Sequence, residues 1–331
     1  MKLIATCGNA NASGFQWSPC SKFVAYFDAD EHEICVLDWK KNVFLHKYKL
    51  DDTFGKSVEA IAWSSTNVLA VYTDTNNIVL FRDGKFLDVH VELDIEMAEI
   101  VSLDMQWSMN GITLATSLRY KHQGKYCCHV KTWNFNEQSE SLECERIIPL
   151  DGREDQGEYT IVIALSNTSL MYNTKSSRYI KQHSLGTEYE YNTNIFHDSN
   201  MGDELECVKW SRNESLLACV FNHMWRGSQR SMLKIINKQR VVVFSSVFVE
   251  IIVSMDWYSD HDLSVLLSDG SMHNVHIDNI NNINSMDFNV MKLDDAYDVN
   301  AMNWSPDGNV LGITAHYKDQ SDIEMWSNDC A

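Results

Sequence analysis

The sequence predicts an all-β protein, a seven-bladed β-propeller of four-stranded antiparallel blades, and three observations carry that prediction. A short tryptophan motif recurs along the chain, and enough strand-like segments follow each copy to make four strands. The last copy is one strand short, while the chain begins with one strand to spare.

The motif consists of an apolar strand ending in Trp, then usually Ser, then a turn and a second apolar strand. Six segments carry it: FQWSPCSKFVAYF, IAWSSTNVLAVYT, MQWSMNGITLATS, VKWSRNESLLACVF, MDWYSDHDLSVLLS and MNWSPDGNVLGIT. Their tryptophans are Trp17, Trp63, Trp107, Trp210, Trp257 and Trp304, spaced by 46, 44, 103, 47 and 47 residues. The long interval spans two periods. The segment VIALSNTSLMYNTKSSRYIKQHSL fills it, with Leu165 and Ser166 in the Trp-Ser slot, and divides it into 58 and 45. Seven repeats then account for the chain. A tryptophan position present in every repeat is expected to be structural, packing the innermost strand against the neighbouring blade.

Within the first repeat, strand a ends at Trp17, FVAYF is strand b, EICVLDW strand c and NVFLHKYKL strand d. Alternation and β-branched or aromatic residues mark the strands, and Asp-Gly pairs at 83–84, 269–270 and 307–308 mark turns between them. The approximate blades are 8–50, 51–94, 95–150, 151–196, 197–247, 248–293 and 294–331, read as one domain over 1–331. The last repeat supplies NAMNWSP, VLGITAHY and DIEMWS as strands a to c and no fourth strand. The segment 1–7, containing KLIATC, is expected to fill that place and remove an open sheet edge.

Composition narrows the function. Hydrophobic residues make up 44% and charged residues 22%, enough for a packed core, and the 3 prolines mark no linker. The 27 Lys and Arg against 46 Asp and Glu give a formal charge of -19, which disfavours general affinity for duplex nucleic acid. No apolar run approaches the ~18 residues of a membrane span, so no membrane insertion is expected. The 9 scattered cysteines suit buried thiols in a reducing compartment, so a cytoplasmic location, or a nuclear one, is expected.

No residue grouping suggests catalysis. There is no Gly-x-Ser-x-Gly elbow, no Cys-His signature and no glycine-rich phosphate loop. In Cys127-Cys128-His129, strand alternation lets Cys127 and His129 share a face while Cys128 points away, so core thiols are expected in place of a metal site. The acidic run DADEHE at 28–33 lacks the glycine and terminal glutamate of a calcium loop. A non-enzyme without metal or cofactor is expected.

The repeats resemble those of the WD40 family over essentially the whole chain. Trp39, Trp133 and Trp326 match the family's strand-c tryptophan, and Asp74 and Asp269 match the aspartate of its b–c turn. No Trp-Asp dipeptide occurs and no Gly-His precedes strand a, so much of the family's Asp-His-Ser-Trp hydrogen-bond network is missing. Repeats this degenerate are similar to those of scaffold subunits in large complexes, such as trafficking, Elongator-like, ciliary or cell-cycle assemblies. The resemblance implies a protein-interaction scaffold or adaptor whose b–c and d–a loops form one face, the top.

On that face the b–c connections LRYKHQGKY, NHMWRGSQRS and HYKDQSD are long, and blade 4 adds NTKSSR. They gather Arg119, Tyr120, Lys121, Lys125, Lys175, Arg178, Trp225, Arg226 and Arg230 in an otherwise acidic chain. Loops on a rigid scaffold carry binding residues, and Trp and Arg are common interface anchors. The expected partners are other protein subunits, through acidic or phosphorylated segments, with Trp225 as anchor and Arg226 and Arg230 as anion ligands. RNA, stacked on the same aromatics, is the alternative.

Overall fold

The computed structural model describes residues 1–8, 14–50, 54–91, 99–150, 161–174, 180–185, 190–193, 204–225, 228–277, 285–293, 298–316 and 321–327. Among them there are 28 strands and no helix. β1 is Lys2–Gly8. Blade 1 follows as β2 Phe15–Trp17, β3 Phe23–Asp28, β4 Glu33–Asp38 and β5 Val43–Lys49. Blade 2 is β6 Val58–Trp63, β7 Leu69–Thr73, β8 Asn77–Arg82 and β9 Lys85–Val91. Blade 3 is β10 Glu99–Trp107, β11 Thr113–His122, β12 Lys125–Asn136 and β13 Ser141–Leu150.

Blade 4 is β14 Ile161–Leu165, β15 Ser169–Thr174, β16 Ile180–Ser184 and β17 Glu190–Thr193. Blade 5 is β18 Glu204–Trp210, β19 Leu216–Trp225, β20 Ser228–Asn237 and β21 Val242–Phe248. Blade 6 is β22 Ile252–Trp257, β23 Asp262–Leu267, β24 Ser271–His276 and β25 Ser285–Lys292. Blade 7 is β26 Asp298–Trp304, β27 Val310–His316 and β28 Ser321–Ser327. Each sheet is antiparallel in sequence order, except that β1 supplies the fourth strand of blade 7. It pairs with β28 from Lys2↔Ser327 to Gly8↔Asp322, which is the latch expected from the first residues.

The motif residue ends strand a in all seven blades: Trp17, Trp63, Trp107, Leu165, Trp210, Trp257 and Trp304 are the last residues of their strands. The serine after it explains the other half of the motif. Ser18, Ser64, Ser108, Ser166, Ser211 and Ser305 are buried. The hydroxyl of each accepts a backbone N–H at the start of strand b, from Phe23, Thr113, Ser169, Leu216 and Val310, or from Val68 just before it, at 2.8–3.0 Å. A buried amide at a tight corner needs such an acceptor. In blade 6 the serine is displaced by one residue, and Ser259 accepts from Asp262 N instead. Gly308 completes the Trp-Ser-Pro-Asp-Gly corner at φ 75°, where a Cβ would lie 2.5 Å from the Tyr258 carbonyl oxygen.

The chain divides into two compact units, 1–53 with 202–331 and 54–201. The first contains blades 5, 6, 7 and 1, with apolar clusters between successive blades. Val220, Leu233 and Phe248 of blade 5 pack with Trp257 and Val265 of blade 6. Met272 and Leu293 of blade 6 pack with Trp304 and Ile313 of blade 7. Phe15, Trp17 and Trp39 of blade 1 pack with Ile323 and Met325 of blade 7.

The second unit contains blades 2, 3 and 4, and its clusters have the same character. Tyr72 and Leu80 of blade 2 meet Leu118 and Trp133 of blade 3. Val130 and Leu150 of blade 3 meet Ile163 and Tyr172 of blade 4.

Candidate functional site

Neighbouring blades are tied at strand a by two reciprocal devices. In blades 1, 3 and 6 the indole N–H of the motif tryptophan reaches back to the residue before the previous blade's tryptophan. Trp17 donates to Asn303 O, Trp107 to Ala62 O and Trp257 to Lys209 O, at 2.9, 3.2 and 3.1 Å. Trp304 donates instead to the Ser264 hydroxyl of blade 6.

The residue before the tryptophan reaches forward. Gln106 donates to Ile163 O and accepts from Leu165 N. Asp256 accepts from Trp304 N, and Asn303 donates to Phe15 O. Lys209 forms a 2.8 Å ion pair with Asp256. These polar residues were not singled out from the sequence, although each stands directly before the motif residue of its repeat.

The blade 3 connection is a hairpin extension of the sheet, not the open loop expected. β11 and β12 pair without interruption from Thr113↔Asn134 to His122↔Lys125. Gln123 and Gly124 form the turn with φ 51° and 79°, the sign pattern of a type I′ hairpin. Pairing places Lys121 opposite Tyr126 and Tyr120 opposite Cys127. The Arg119 guanidinium stacks on Tyr126, 4.2 Å from the ring centre, and Lys121 Nζ lies 5.9 Å from it.

Arg119 is 1% exposed and Tyr120 9%, so neither is displayed to a partner as the sequence reading expected. Lys125 is exposed, and Lys121 and Tyr126 are half-buried. Tyr120 packs edge-on to His129, and burial followed by the neighbouring Cys127 pushes its phenol upward from its ordinary pKa. Alternation separates the thiols as expected: Cys127 faces the blade 2–3 core and Cys128 the blade 3–4 core.

Blade 5 repeats the hairpin device. β19 and β20 pair from Leu216↔Asn237 to Trp225↔Ser228, with His223 opposite Arg230. Arg230 is half-buried. For Trp225 only the backbone is described, and Arg226, Lys175 and Arg178 lie outside the described residues. Blade 3 and blade 5 belong to different units.

At the b–c turns Asp74 accepts from Lys56 N at 3.0 Å, and Asp269 accepts from the backbone and hydroxyl of Ser271. Burial acts to raise the Asp269 carboxyl, but the bonds from Ser271 and the charge of Lys292 outweigh it and hold the group below its ordinary value. Among the described residues no three His, Cys, Asp or Glu side chains could hold a metal ion. No described helix is long and apolar enough to cross a membrane. Burial pushes the Cys35 thiol up to about 11 and raises Cys219 as well, which keeps both protonated at neutral pH.

Similar solved structures share this fold. The β-propeller domain of Cps50 (Swd1) from Myceliophteria thermophila superposes with a TM-score of 0.65 at 10% identity, covering 98% of both chains. The fold is a seven-bladed β-propeller. Hsv2 of Kluyvelomyces marxianus matches with a TM-score of 0.59 at 12% identity, over 92% of this chain and 88% of its own. The Dos1 propeller gives 0.57 at 11%, over 97% and 80%. No protein-family model matches this propeller, and no curated protein does either.

Proposed function

We propose that this propeller is a non-catalytic protein-interaction platform, a subunit or adaptor of a larger complex. The blade 3 hairpin is its contact for an acidic or phosphorylated segment of a protein partner. The observation that carries this reading is the arrangement around Tyr126. Arg119, buried, stacks on the ring, Lys121 Nζ lies 5.9 Å from its centre, and exposed Lys125 precedes the tyrosine in the chain.

An aromatic ring with lysines on the same short hairpin supports apolar contact and anion pairing in one small area. The hairpin suits the task because its backbone bonds are satisfied internally, so a partner need not order a floppy loop. The hairpin of blade 5, with Trp225, Arg226 and Arg230, is the second proposed contact.

The test compares proteins that co-purify from the native source with wild type and with Lys121→Glu plus Lys125→Glu. Loss of a defined partner, with the melting temperature unchanged, is expected. Equal recovery overturns the blade 3 site, and Trp225→Ala with Arg226→Ala tests blade 5 separately. A steep fall of binding with salt, together with nuclease sensitivity, would assign the same surface to RNA.

A further inference from the structure

Blades 5, 6 and 7 enclose a cavity of about 310 Å³ that the hairpin reading does not use. Three β-bulges shape it. Strand a of each blade carries one residue that pairs with nothing on strand b: Glu206 in β18, Val253 in β22 and Asn300 in β26. All three line the cavity. A bulge bends its strand and redirects the extra side chain, and here the same defect in adjacent blades opens one space.

The lining has two chemical parts. Ile251 and Val253, both half-buried, form the accessible aliphatic wall, and Ile252, Met255 and Val299, buried in the blade cores, complete the lining. Glu206 is exposed, and among the described residues no cation pairs with it. Beneath the wall the structure is fixed: Ile252 N donates to Ser231 Oγ, which donates to Asn222 Oδ1 at 2.6 Å. The Ser254 hydroxyl joins β22 to β26 by accepting from Met302 N. The Ser231, Asn222 and Ser254 side chains that brace the floor are tied to one another and to the backbone, and the Glu206 carboxylate is the charged group of the lining.

We infer that this cavity receives an arginine side chain from a protein partner, its methylenes on the aliphatic wall and its guanidinium on Glu206. Size supports one long side chain, because the volume lies at the bottom of the ~300–1,000 Å³ range of small-ligand sites. Charge supports a cation, since among the described residues no cation pairs with the site acid and the chain carries -19 overall. Arginine is favoured over lysine because its guanidinium is weakly hydrated and meets a carboxylate with two parallel N–H donors. The site lies wholly within one unit, apart from the blade 3 hairpin in the other, so each proposal can fail alone.

The test titrates the full chain with the peptide acetyl-Gly-Ala-Arg-Ala-Gly-amide and with versions carrying Lys or Gln in place of Arg. Binding is followed by fluorescence anisotropy of labelled peptides and by heat. Saturable binding of the Arg peptide alone is expected. Glu206→Gln weakens it by about tenfold or more, the size of a lost hydrogen bond to a charged group. Val253→Trp fills the cavity and abolishes binding, and Val253→Met serves if the Trp variant does not fold. Lys121→Glu leaves the binding unchanged. No saturable binding, equal binding of the Lys or Gln peptide, or indifference to Glu206→Gln overturns the proposal.

Discussion

The two ends of a blade obey different rules. At the a–b corner seven blades repeat one solution: a motif residue ends the strand and a serine hydroxyl accepts an amide at the start of strand b, buried in six of them, while in several blades side chains also reach to a neighbour. At the b–c end the connections vary. Blade 3 extends its sheet to a Gln-Gly turn, while blade 2 turns within Asp74–Asn76. The corner is repeated because every blade must satisfy the same buried amides, whereas the b–c end, less constrained by packing, can carry cations and aromatics.

The sharpest way to break this contrast is to remove the latch. Deleting residues 2–8 strips β28 of its partner strand. It should abolish a cooperative thermal transition or lower the melting temperature by on the order of 10 °C or more. Next comes the corner tryptophan. Trp304→Ala, which empties a buried site and leaves the Ser264 hydroxyl without its donor, should cost about 3–5 kcal/mol in urea denaturation.

Ser305→Ala leaves the buried amide of Val310 without its acceptor and should cost about 1–3 kcal/mol. At the other end, Lys125→Ala should change stability by no more than about 0.5 kcal/mol while weakening the partner contact. A corner variant that is silent, or a b–c variant that unfolds the protein, would erase the distinction.

The smallest expected effect concerns His273, whose imidazole is held below its ordinary pKa by burial, against the opposing charge of Asp269. Because the folded state resists the proton, the unfolded state binds it first as pH falls below about 6.5. Stability should therefore be full above that pH and decline from there down to the lower folded pKa. His273→Gln should flatten that part of the pH–stability curve.

Much of the architecture was legible in the residues because its signals are local. The Trp-Ser corner is a bond between neighbours, and the Leu165-Ser166 slot kept the serine that the corner needs even where Trp was lost. The turn at Gln123-Gly124 was legible too, since a glycine dipeptide flanked by alternating residues marks a tight hairpin, but length alone suggested a loop. The burial of Arg119 had no such sign. It follows from the Tyr126 ring on the paired strand.

By itself the sequence determined the number of blades, the strands within them and the use of the first residues to finish the last sheet. Those features follow from periodicities of 2 and about 47 residues, which packing only confirms. Tertiary structure alone decided which side chains grip the next blade, where three bulges fall together and which cations remain on the surface. Each of those depends on groups a full repeat apart in the chain, whose contact exists only once neighbouring sheets are stacked.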